Sequence, residues 1–500
     1  MVRAGTRVVV AGIGVAGYAA ADALLDLGAR VIVLDGRDDD RNRERASVLE
    51  VLGTDVRLGS GAADELPADV ELVVTSPGWR PTSPVLEQAV LRGVPVWGEV
   101  ELAWRLRPSR ADGTYAPWLA VTGTNGKTTT VQMLDSMLRA AGLRSAAVGN
   151  VGTPVLDAVR DPEPYDVLAV ELSSFQLHTT WSMSAQAAVV LNVAPDHLDW
   201  HGSFEAYRAA KARAYERAQR ACVYPLADAG VERLVRAADV REGCRAVGIT
   251  DGVPPVGSVG VMDGALADRA FVDGRQQEAA GLALELGSVD DIHPLAPHTL
   301  ADALAAAALA RAHGVQPGAV GAGLRAFRLD AHRGSVIDSS VPGVMHGQVR
   351  WVDDSKTTNP HAAQAALSAH PAAHPAAPPA AQPSVVWVAG GLAKGAVFDE
   401  LVTAVRDRLR AAVLIGQDRA VIADALRRHA PEVRVIDVGD GETGPEVMDR
   451  AVAAALQVAQ PGDTVLLAPA CASQDLFRDY AERGDAFAAA VRAHARAAPA

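Results

Sequence analysis

Residues 118–130, Trp-Leu-Ala-Val-Thr-Gly-Thr-Asn-Gly-Lys-Thr-Thr-Thr, place an apolar stretch directly before a glycine turn and a Lys-Thr pair. The apolar stretch suits a buried strand, and the residues after the turn suit a helix. One apolar face of that helix is expected to contain Val131, Leu134, Leu138 and Ala141. A glycine turn between strand and helix lets backbone N–H groups and the positive helix end approach phosphate oxygens. The stretch therefore predicts a nucleotide site, with Lys127 on the terminal phosphates and Thr128 on magnesium.

The spacing of this turn departs from the common pattern GxxxxGK[ST]. Val121 stands where the first glycine belongs, and Gly123 is displaced. A Gly-Lys-Thr triplet alone is a weak signal, since an ordinary turn can contain it. Its position between strand and helix favours the nucleotide site.

Length and composition predict a multidomain globular protein. A chain of 500 residues is too long for one hydrophobic core and suggests about two to four domains. The net charge of −13 argues against a general nucleic-acid binder, so an anionic substrate needs locally concentrated cations. Cys222, Cys244 and Cys471 are scattered without ligand spacing, which favours neither a disulfide framework nor zinc.

The start of the chain has no signal-peptide layout, and no apolar stretch is long enough to span a bilayer. We therefore expect no membrane insertion and a reducing, cytoplasmic setting.

The order of apolar and glycine-rich segments predicts an α/β fold in three domains, at 1–110, 111–329 and 330–500. Residues 6–35 form a strand–helix–strand pattern, and apolar runs at 70–75 and 94–97 extend it to a small parallel sheet. The further expected strands are 167–170, 188–192, 385–389, 412–415, 433–438 and 464–468. Helices are expected at 204–219 and 298–313. Residues 107–117 suggest a linker, and 370–383 an Ala/Pro surface loop without catalytic importance.

The first strand–helix turn contains Gly12, Gly14 and Gly17, and Asp35 closes the next strand. This matches the dinucleotide fingerprint, which alone would suggest NAD, although a tight turn without a ligand gives the same pattern. The later motifs concern phosphoryl transfer instead. The turn is therefore interpreted as a cradle for a nucleotide diphosphate.

Two further polar motifs follow apolar strands. Glu171 ends the strand expected at 167–170, where a carboxylate can hold magnesium; a solvated strand end is the alternative. Asp196, His197, Asp199 and His201 fall within six residues. That composition suits metal coordination and substrate orientation better than packing.

In order and spacing these motifs resemble the central domain of the Mur ligases, ATP-dependent amide-forming enzymes of peptidoglycan precursor synthesis. The resemblance continues through Tyr207 to Lys211, His332-Arg333, Asp354 to Asn359, Gly390 to Gly395 and Pro469 to Ser473. With the N-terminal glycine turn and Ser76-Pro77-Gly78, it covers nearly the whole chain. The terminal motifs most resemble those of members that add D-glutamate to UDP-N-acetylmuramoyl-L-alanine.

The resemblance implies a Rossmann-like UDP-binding domain, a central P-loop ATPase-like domain and a Rossmann-like amino-acid-binding domain. It assigns the sugar nucleotide to Val15, Ala16, Asp35, Arg37, Gly78, Asn150 and His197. It assigns the ATP phosphates to Gly123, Thr124, Asn125, Gly126, Lys127, Thr128 and Thr129. Further ATP and hinge-side contacts fall to Arg333, Asp354 and Lys356. The residues that the resemblance implies for enclosing the incoming glutamate are Thr358, Lys394, Ser473 and Tyr480.

The resemblance also implies two magnesium ions and four catalytic residues, Lys127, Glu171, His197 and Lys211. Thr128 and Glu171 would hold one ion. His197 would hold the second together with Lys211, which the family carbamylates with CO2. Simpler alternatives remain for the glutamate residues, with Lys394 a solvated loop lysine, Ser473 a helix N-cap and Tyr480 a core residue.

One departure from the family lies near the expected adenine site. Where the family has His-Asn-x-x-Asn, this chain has His298-Thr299-Leu-Ala-Asp302. Gly334-Ser335-Val336 after His-Arg, and Gln474, also depart from the usual residues. Recognition of the base and the lining of the glutamate pocket therefore stay open.

Other functions were weighed against this interpretation. A Mur-type ligase for a different amino acid, including L-glutamate, shares the motifs. A folate glutamylating enzyme lacks the N-terminal strand–helix–strand domain, and a regulator without chemistry would not need Lys127, Glu171, His197 and Lys211. An NAD-dependent dehydrogenase is the alternative outside the class. A monomer that acts on small molecules and binds no nucleic acid is expected.

Overall fold

The computed structural model describes residues 2–272, 283–337, 349–370, 385–439 and 443–497. The chain divides into two compact units, Met1–Phe327 and Arg328–Ala500. The first unit contains two sheets and the second contains one. The predicted Ala/Pro loop at 370–383 lies, apart from His370, outside the described residues.

The first sheet is a five-stranded parallel sheet in the order β3-β2-β1-β4-β5. Its elements are β1 (Arg7–Ala11), α1 (Val15–Asp26), β2 (Arg30–Asp35), α2 (Asp40–Val51), β3 (Asp55–Leu58), β4 (Leu72–Thr75), α3 (Pro84–Leu91), β5 (Val96–Gly98) and α4 (Glu99–Leu106). The strand order reverses between β1 and β4, and a crevice forms beyond the carboxyl ends of parallel strands at such a point. The predicted parallel sheet is confirmed.

The second sheet has nine strands in the order β14-β13-β12-β11-β10-β9-β6-β8-β7. Its first elements are β6 (Trp118–Thr122), α5 (Lys127–Ala140), β7 (Ser145–Gly149), α6 (Val155–Val159), β8 (Val167–Glu171), α7 (Ser174–His178), β9 (Ala187–Val190), α8 (Leu198–His201) and α9 (Phe204–Ala212). They continue with β10 (Ala221–Pro225), α10 (Ala229–Ala237), β11 (Arg245–Ile249), β12 (Ser258–Met262), β13 (Ala265–Asp268), β14 (Leu284–Ser288), α11 (Pro297–His313) and α12 (Pro317–Ala326). Short 3-10 helices occupy Arg213–Tyr215 and Val289–Asp291. Strands β6 to β12 are parallel, whereas β13 and β14 pair antiparallel.

The third sheet forms the centre of the second unit, in the order β15-β16-β20-β17-β18-β19. Its elements are β15 (Ser335–Val336), β16 (Arg350–Asp353), α13 (Pro360–Ser368), β17 (Val385–Gly390), α14 (Asp399–Val405), β18 (Leu409–Ile415), α15 (Arg419–His429), β19 (Arg434–Asp437), α16 (Gly444–Leu456), β20 (Thr464–Leu467) and α17 (Tyr480–Ala497), with a 3-10 helix at Arg406–Arg408. Apolar clusters cover both faces, which explains the continuous apolar runs of β17, β18 and β20.

The predicted α/β fold is confirmed, with three sheets flanked by helices. The helix expected at 204–219 ends at Ala212, and a 3-10 turn follows it to Tyr215. The placement of Ala141 on the buried face of α5 is wrong, because Ala141 is the exposed C-terminal cap of that helix. Two of the three cysteines, which lie apart in the sequence, are close in the structure. The sulfur atoms of Cys222 and Cys244 lie 3.9 Å apart.

Residues 107–117, the expected linker, contain neither a helix nor a strand. The domain boundaries at 110 and 329 stay predictions. Within the described part of the chain, no helix is both long and apolar enough to cross a membrane.

Candidate active site

The loop between β6 and α5 brings together the residues predicted to bind phosphate. Gly126 has a φ of +84°, and a Cβ there would lie 2.3 Å from an oxygen of Asp302. Lys127 begins α5 and donates hydrogen bonds back to the carbonyls of Gly123 and Thr124, both at 3.0 Å. The lysine ammonium and the positive end of α5 therefore meet at the loop, as phosphate binding requires.

Asn192, two residues beyond the end of β9, fixes this loop. Its side-chain oxygen accepts from the backbone N–H of Asn125 at 2.9 Å, and its amide nitrogen donates to the Asn125 carbonyl at 3.2 Å. Its own carbonyl accepts from Thr124 N at 3.0 Å. The Thr124 hydroxyl also lies 2.9 Å from the hydroxyl of Tyr207. The motifs of the sequence did not predict this role of Asn192.

Glu171 ends β8 and is 1% exposed. Val121 is its register partner on β6, so the carboxylate lies at the same sheet edge as the phosphate loop. One carboxylate oxygen accepts from the Asn150 amide at 2.8 Å. The other is buried and has no hydrogen-bond partner among the described residues. A buried carboxylate oxygen without a donor is unfavourable, and a cation would satisfy it.

Lys211 on α9 is 2% exposed and donates to the carbonyl of Gly123 at 2.7 Å. Its ammonium also lies 4.6 Å from the ring centroid of Tyr207. Burial lowers the pKa of Lys211 well below 10.5, and the charge of Lys127 lowers it further. The carboxylates of Asp196 and Glu171 act in the opposite direction. The structure therefore favours a neutral, nucleophilic amine at this position.

The predicted metal cluster of Asp196, His197, Asp199 and His201 does not form. Successive side chains of the short helix α8 point to different partners. Asp199 pairs with Arg80 at 3.0 Å, and His201 lies 3.0 Å from the Ser174 hydroxyl. Burial lowers the pKa of His201 to about 4. Across the described ranges, no group of three or more His, Cys, Asp or Glu side chains could hold a metal ion.

His197 itself has a distinct position in this segment. It precedes α8 with a φ of +53°. Its ring centroid lies 4.7 Å from that of Phe175, and its Nε2 atom lies 3.6 Å from a carboxylate oxygen of Asp196. The side chain is 40% exposed. The imidazole is therefore accessible while a neighbouring ring and carboxylate orient it.

A cavity of about 670 Å³ lies where the strand order of the first sheet reverses. Five of the residues predicted to bind the sugar nucleotide line it, namely Val15, Ala16, Asp35, Arg37 and Gly78. Asp35 accepts from the N–H groups of Ile13 at 3.0 Å and Arg37 at 2.9 Å, so it fixes the glycine turn. A Cβ on Gly12 would lie 2.6 Å from the indole nitrogen of Trp79, which explains the glycine there.

The sequence missed two large side chains of this cavity, Trp79 and Arg80. They directly follow the Ser76-Pro77-Gly78 turn, which was the available signal. Asn150 and His197, also predicted for the sugar nucleotide, do not line the cavity. Asn150 instead donates to Glu171.

The departures near the expected adenine site have a structural explanation. Asp302 of α11 accepts a hydrogen bond from the Thr130 hydroxyl of α5 at 3.2 Å. The Thr299 hydroxyl accepts from Ala296 N at 2.9 Å and donates to the Pro294 carbonyl at 2.7 Å. Both side chains therefore stabilise α11 and its contact with the phosphate-loop helix.

In the second unit, the residues predicted to make ATP and hinge-side contacts lie on two segments that are adjacent in space. Lys356 N donates to the carbonyl of His332 at 3.2 Å, which brings Arg333 near the loop after β16. Burial raises the pKa of Asp354 to about 7, the charge of Arg333 opposes this rise, and Asp353 adds to it. Asp354 therefore holds a proton more readily than an ordinary aspartate.

The residues predicted to enclose glutamate lie on neighbouring loops of the third sheet. The loops that contain Lys394 and Ser473 are joined by two backbone hydrogen bonds between Leu392 and Ala472, at 2.9 and 3.0 Å. The Ser473 hydroxyl is buried and has no hydrogen-bond partner within the described chain, so it does not cap a helix. An unpaired buried hydroxyl is consistent with a ligand-binding role.

Tyr480 and Thr358 both contact Lys356. The Tyr480 ring centroid lies 3.7 Å from the Lys356 ammonium, and the side chain is partly exposed rather than in the core. Thr358 is half-buried, and its N–H donates to the Lys356 carbonyl at 2.9 Å.

The sequence missed Arg483, a buried residue that donates to the carbonyls of Ser355 at 2.8 Å and Cys471 at 3.1 Å. Arg483 therefore joins the loop after β16 to the loop after β20. No motif spacing in the sequence predicted this role.

Comparison with known proteins gives matches over most of the chain. Family models match residues 6–98 (Mur ligase MurD-like, N-terminal domain), 121–251 (Mur ligase middle domain) and 332–471 (Mur ligase, glutamate ligase domain). The UDP-N-acetylmuramoylalanine–D-glutamate ligase of Streptomyces coelicolor is 58% identical over 488 residues, which cover 98% of each chain.

Two further relatives agree with these matches. The ligase of the same name from Thermobifida fusca is 51% identical and covers 98% of each chain. Among solved structures, the UDP-N-acetylmuramate-alanine ligase MurC of Thermotoga maritima superposes with a TM-score of 0.54 at 19% identity, over 98% of this chain and 99% of that one. At that identity the superposition establishes the fold only.

Proposed function

The chain belongs to the Mur ligase family, and we propose that its site performs the reaction of the family's D-glutamate-adding members. The protein is an ATP-dependent ligase that adds D-glutamate to UDP-N-acetylmuramoyl-L-alanine in peptidoglycan precursor synthesis. The reaction passes through an acyl phosphate and releases ADP and phosphate. One observation carries the proposal at the level of the site: Lys127 and Lys211 both donate to the Gly123 carbonyl, beside the buried carboxylate of Glu171.

The phosphate loop has the groups that the first step needs. A carboxylate resists attack by an amine because its charge repels the nucleophile and oxide is a poor leaving group. Transfer of the γ-phosphoryl group of ATP converts the alanyl carboxylate to an acyl phosphate. Two anions must approach, so Lys127 and the N–H groups at the start of α5 have to neutralise the accumulating charge.

Magnesium fits the donors at this edge of the sheet. The orphaned oxygen of Glu171 and the hydroxyl of Thr128 are hard oxygen ligands of the type that magnesium prefers. When bound there, the ion supplies positive charge to the phosphate groups. The family requires ATP and magnesium, and these two residues are the proposed ligands of one ion.

Lys211 is the proposed site of a carbamate. Its amine is buried beside the positively charged Lys127, which favours the neutral form that attacks CO2. The product would be an anion, so it would turn the repulsion between the two lysines into attraction. The carbamate and His197 are the proposed ligands of a second magnesium ion.

The second step, attack of the amine of glutamate on the acyl phosphate, is a problem of positioning. We assign the sugar nucleotide to the 670 Å³ cavity and to Asn150 and His197. Glutamate is assigned to Thr358, Lys394, Ser473 and Tyr480, and further ATP contacts to Arg333, Asp354 and Lys356. The buried, unpaired hydroxyl of Ser473 supports this assignment.

A monomer is the proposed oligomeric state, because residues of one chain supply the groups for all three substrates. The cytoplasm is the proposed setting, because the reaction consumes ATP. The proposed ligand of the glycine turn in the first sheet is a UDP-linked substrate rather than NAD, and the inclusion of this turn in the matched N-terminal family model supports the proposal.

The test is phosphate release by the purified protein with UDP-N-acetylmuramoyl-L-alanine, ATP and magnesium, across a panel of D- and L-amino acids. Release is expected with D-glutamate and at background level with L-glutamate, and the product should carry one added glutamate by mass. Preference for another amino acid would contradict the assignment of the substrate. Release with no amino-acid dependence would contradict the ligase reaction.

A further inference from the structure

Arg80 connects the sugar-nucleotide cavity with the segment that contains His197. Its side chain lines the cavity, and one of its guanidinium nitrogens lies 3.0 Å from a carboxylate oxygen of Asp199. Asp199 is two residues beyond His197, and 119 positions separate the two partners in the sequence. Both belong to the first compact unit. The pair therefore spans from the first sheet to the second.

The charge balance of the cavity makes Arg80 a candidate for binding. Its charged lining residues are Asp35, Arg37 and Arg80. The Asp35 carboxylate accepts from two backbone N–H groups and lies 3.9 Å from the Arg37 guanidinium, so it offsets the charge of Arg37. Arg80 is the lining cation whose carboxylate partner, Asp199, is not itself part of the lining. The diphosphate and the alanyl carboxylate of the substrate are both anionic, while the chain as a whole carries a charge of −13. Local cations must therefore offset the repulsion between the anionic substrate and the negative charge of the chain.

The backbone around Arg80 is fixed, so its side chain starts from a defined position. The Arg80 carbonyl accepts from Ser83 N at 2.9 Å, and the Ser76 carbonyl accepts from Trp79 N at 3.1 Å. Pro81 restricts the residue further. The side chains of Arg80 and Asp199 are 57% and 60% exposed. Such an exposed pair contributes little to folding stability, so its position at the cavity is its significant property.

We propose that Arg80 binds the anionic sugar nucleotide and that Asp199 positions its guanidinium group at the cavity. The pair thereby aligns the two parts of this substrate's site, the cavity of the first sheet and the segment that begins at His197. Arg80 is a specificity-determining residue, and Asp199 is a positioning residue that acts through it. This inference rests on the proposed function, since it takes the UDP-linked acid as the ligand.

The test is direct binding of UDP-N-acetylmuramoyl-L-alanine to the full-length protein, measured by calorimetry without ATP. Loss of a charge-assisted contact in Arg80→Ala should weaken the Kd by about tenfold or more. Arg80→Lys should lose less, because it keeps the charge. Asp199→Asn should weaken binding a few-fold, and the double variant should bind no more weakly than Arg80→Ala alone. The Kd for ATP should stay unchanged in every variant.

Arg7→Ala is the matched control. Arg7 forms an exposed ion pair with Asp69 at 3.4 Å, but it begins β1 at the opposite end from the cavity. Its substrate binding should equal that of the wild type. Higher ionic strength should reduce the difference between Arg80→Ala and the wild type, because salt screens the interaction.

Three results would overturn the inference. These are unchanged substrate binding by Arg80→Ala, an equal loss of ATP affinity, or tighter substrate binding by Asp199→Asn. Phosphate release by the wild type is measured in parallel. A wild-type protein without turnover contradicts the proposed function, whereas normal turnover together with unchanged binding by Arg80→Ala contradicts only the role of Arg80.

Discussion

Two lysines share one carbonyl acceptor at the centre of the site. Lys127 and Lys211 donate to the Gly123 oxygen at 3.0 and 2.7 Å. A positive charge on Lys211 would be repelled by Lys127, and burial also disfavours that charge, so both effects lower the pKa of Lys211. An anion at Lys127, or conversion of Lys211 to an anion, would relieve the repulsion. The local electrostatics are therefore consistent with phosphate binding at Lys127 and with the proposed carbamate at Lys211.

Replacement of Lys127 tests the phosphate site. In Lys127→Ala, the rate of phosphate release should fall by at least about 10²–10³, the typical effect of losing one preorganised donor. Circular dichroism and thermal melting should show an intact fold. Arg139→Ala is the control, because Arg139 lies on the same helix and pairs with Asp135 at the surface. Near-normal turnover by folded Lys127→Ala would remove the phosphate assignment.

Replacement of Lys211 tests the carbamate. Turnover of Lys211→Ala should be lost and then partly recovered by added short carboxylic acids, since these can place an oxygen anion in the vacated space. Lys127→Ala provides the comparison, because it lacks a cation and should gain nothing from the same acids. Phosphate release is measured against acid concentration. Equal recovery of both variants, or of neither, would argue against a carbamate.

Helix α5 shows how an element is held in position for function. Its first turn contacts Asp302 of α11, and the loop before it is fixed by Asn192. These contacts come from elements far away in the sequence, although strand, turn and helix follow from local pattern. Gly126 before the helix and Gly142 after it both adopt positive φ, +84° and +80°.

These two glycines give a matched pair of substitutions. In both Gly126→Ala and Gly142→Ala, the strain of a left-handed backbone should lower the free energy of unfolding by about 1–2 kcal/mol. Only Gly126→Ala also places a Cβ 2.3 Å from Asp302, whereas a Cβ at Gly142 meets nothing within 4 Å. Gly126→Ala should therefore show the larger decrease in melting temperature and a weaker affinity for ATP. Equal decreases in both variants would contradict the close approach of Asp302.

The division of the chain into two units separates the proposed substrate sites at the scale of the molecule. Met1–Phe327 contains the cavity, the phosphate loop, Glu171 and Lys211. Arg328–Ala500 contains the residues assigned to glutamate and the further ATP contacts Arg333, Asp354 and Lys356. Each unit has hydrophobic clusters of its own, which is the condition for independent folding.

A fragment of residues 1–327 should therefore bind UDP-N-acetylmuramoyl-L-alanine and, with a weaker affinity than the full-length protein, ATP, but it should form no amide product. Binding is measured by calorimetry and product by mass spectrometry, with the full-length protein as the reference. Amide formation by a folded fragment would contradict the assignment of glutamate to the second unit. A folded fragment that binds neither nucleotide would contradict the assignment of the other two sites.

The amino-acid sequence by itself determined the strand–turn–helix units around the glycine turns and the motifs beside them, whereas β7 and β10 to β14 were not predicted. Apolar periodicity, glycine turns and a Lys-Thr pair act within a few residues, so their consequences can be inferred without distant contacts. Only the tertiary structure decided which side chains meet. It directed Asp199 and His201 to separate partners, and it brought Arg80 to Asp199 and Asp302 to Thr130. It also left one oxygen of Glu171 without a partner among the described residues. Such contacts join positions far apart in the chain, and their geometry depends on how whole sheets and helices pack.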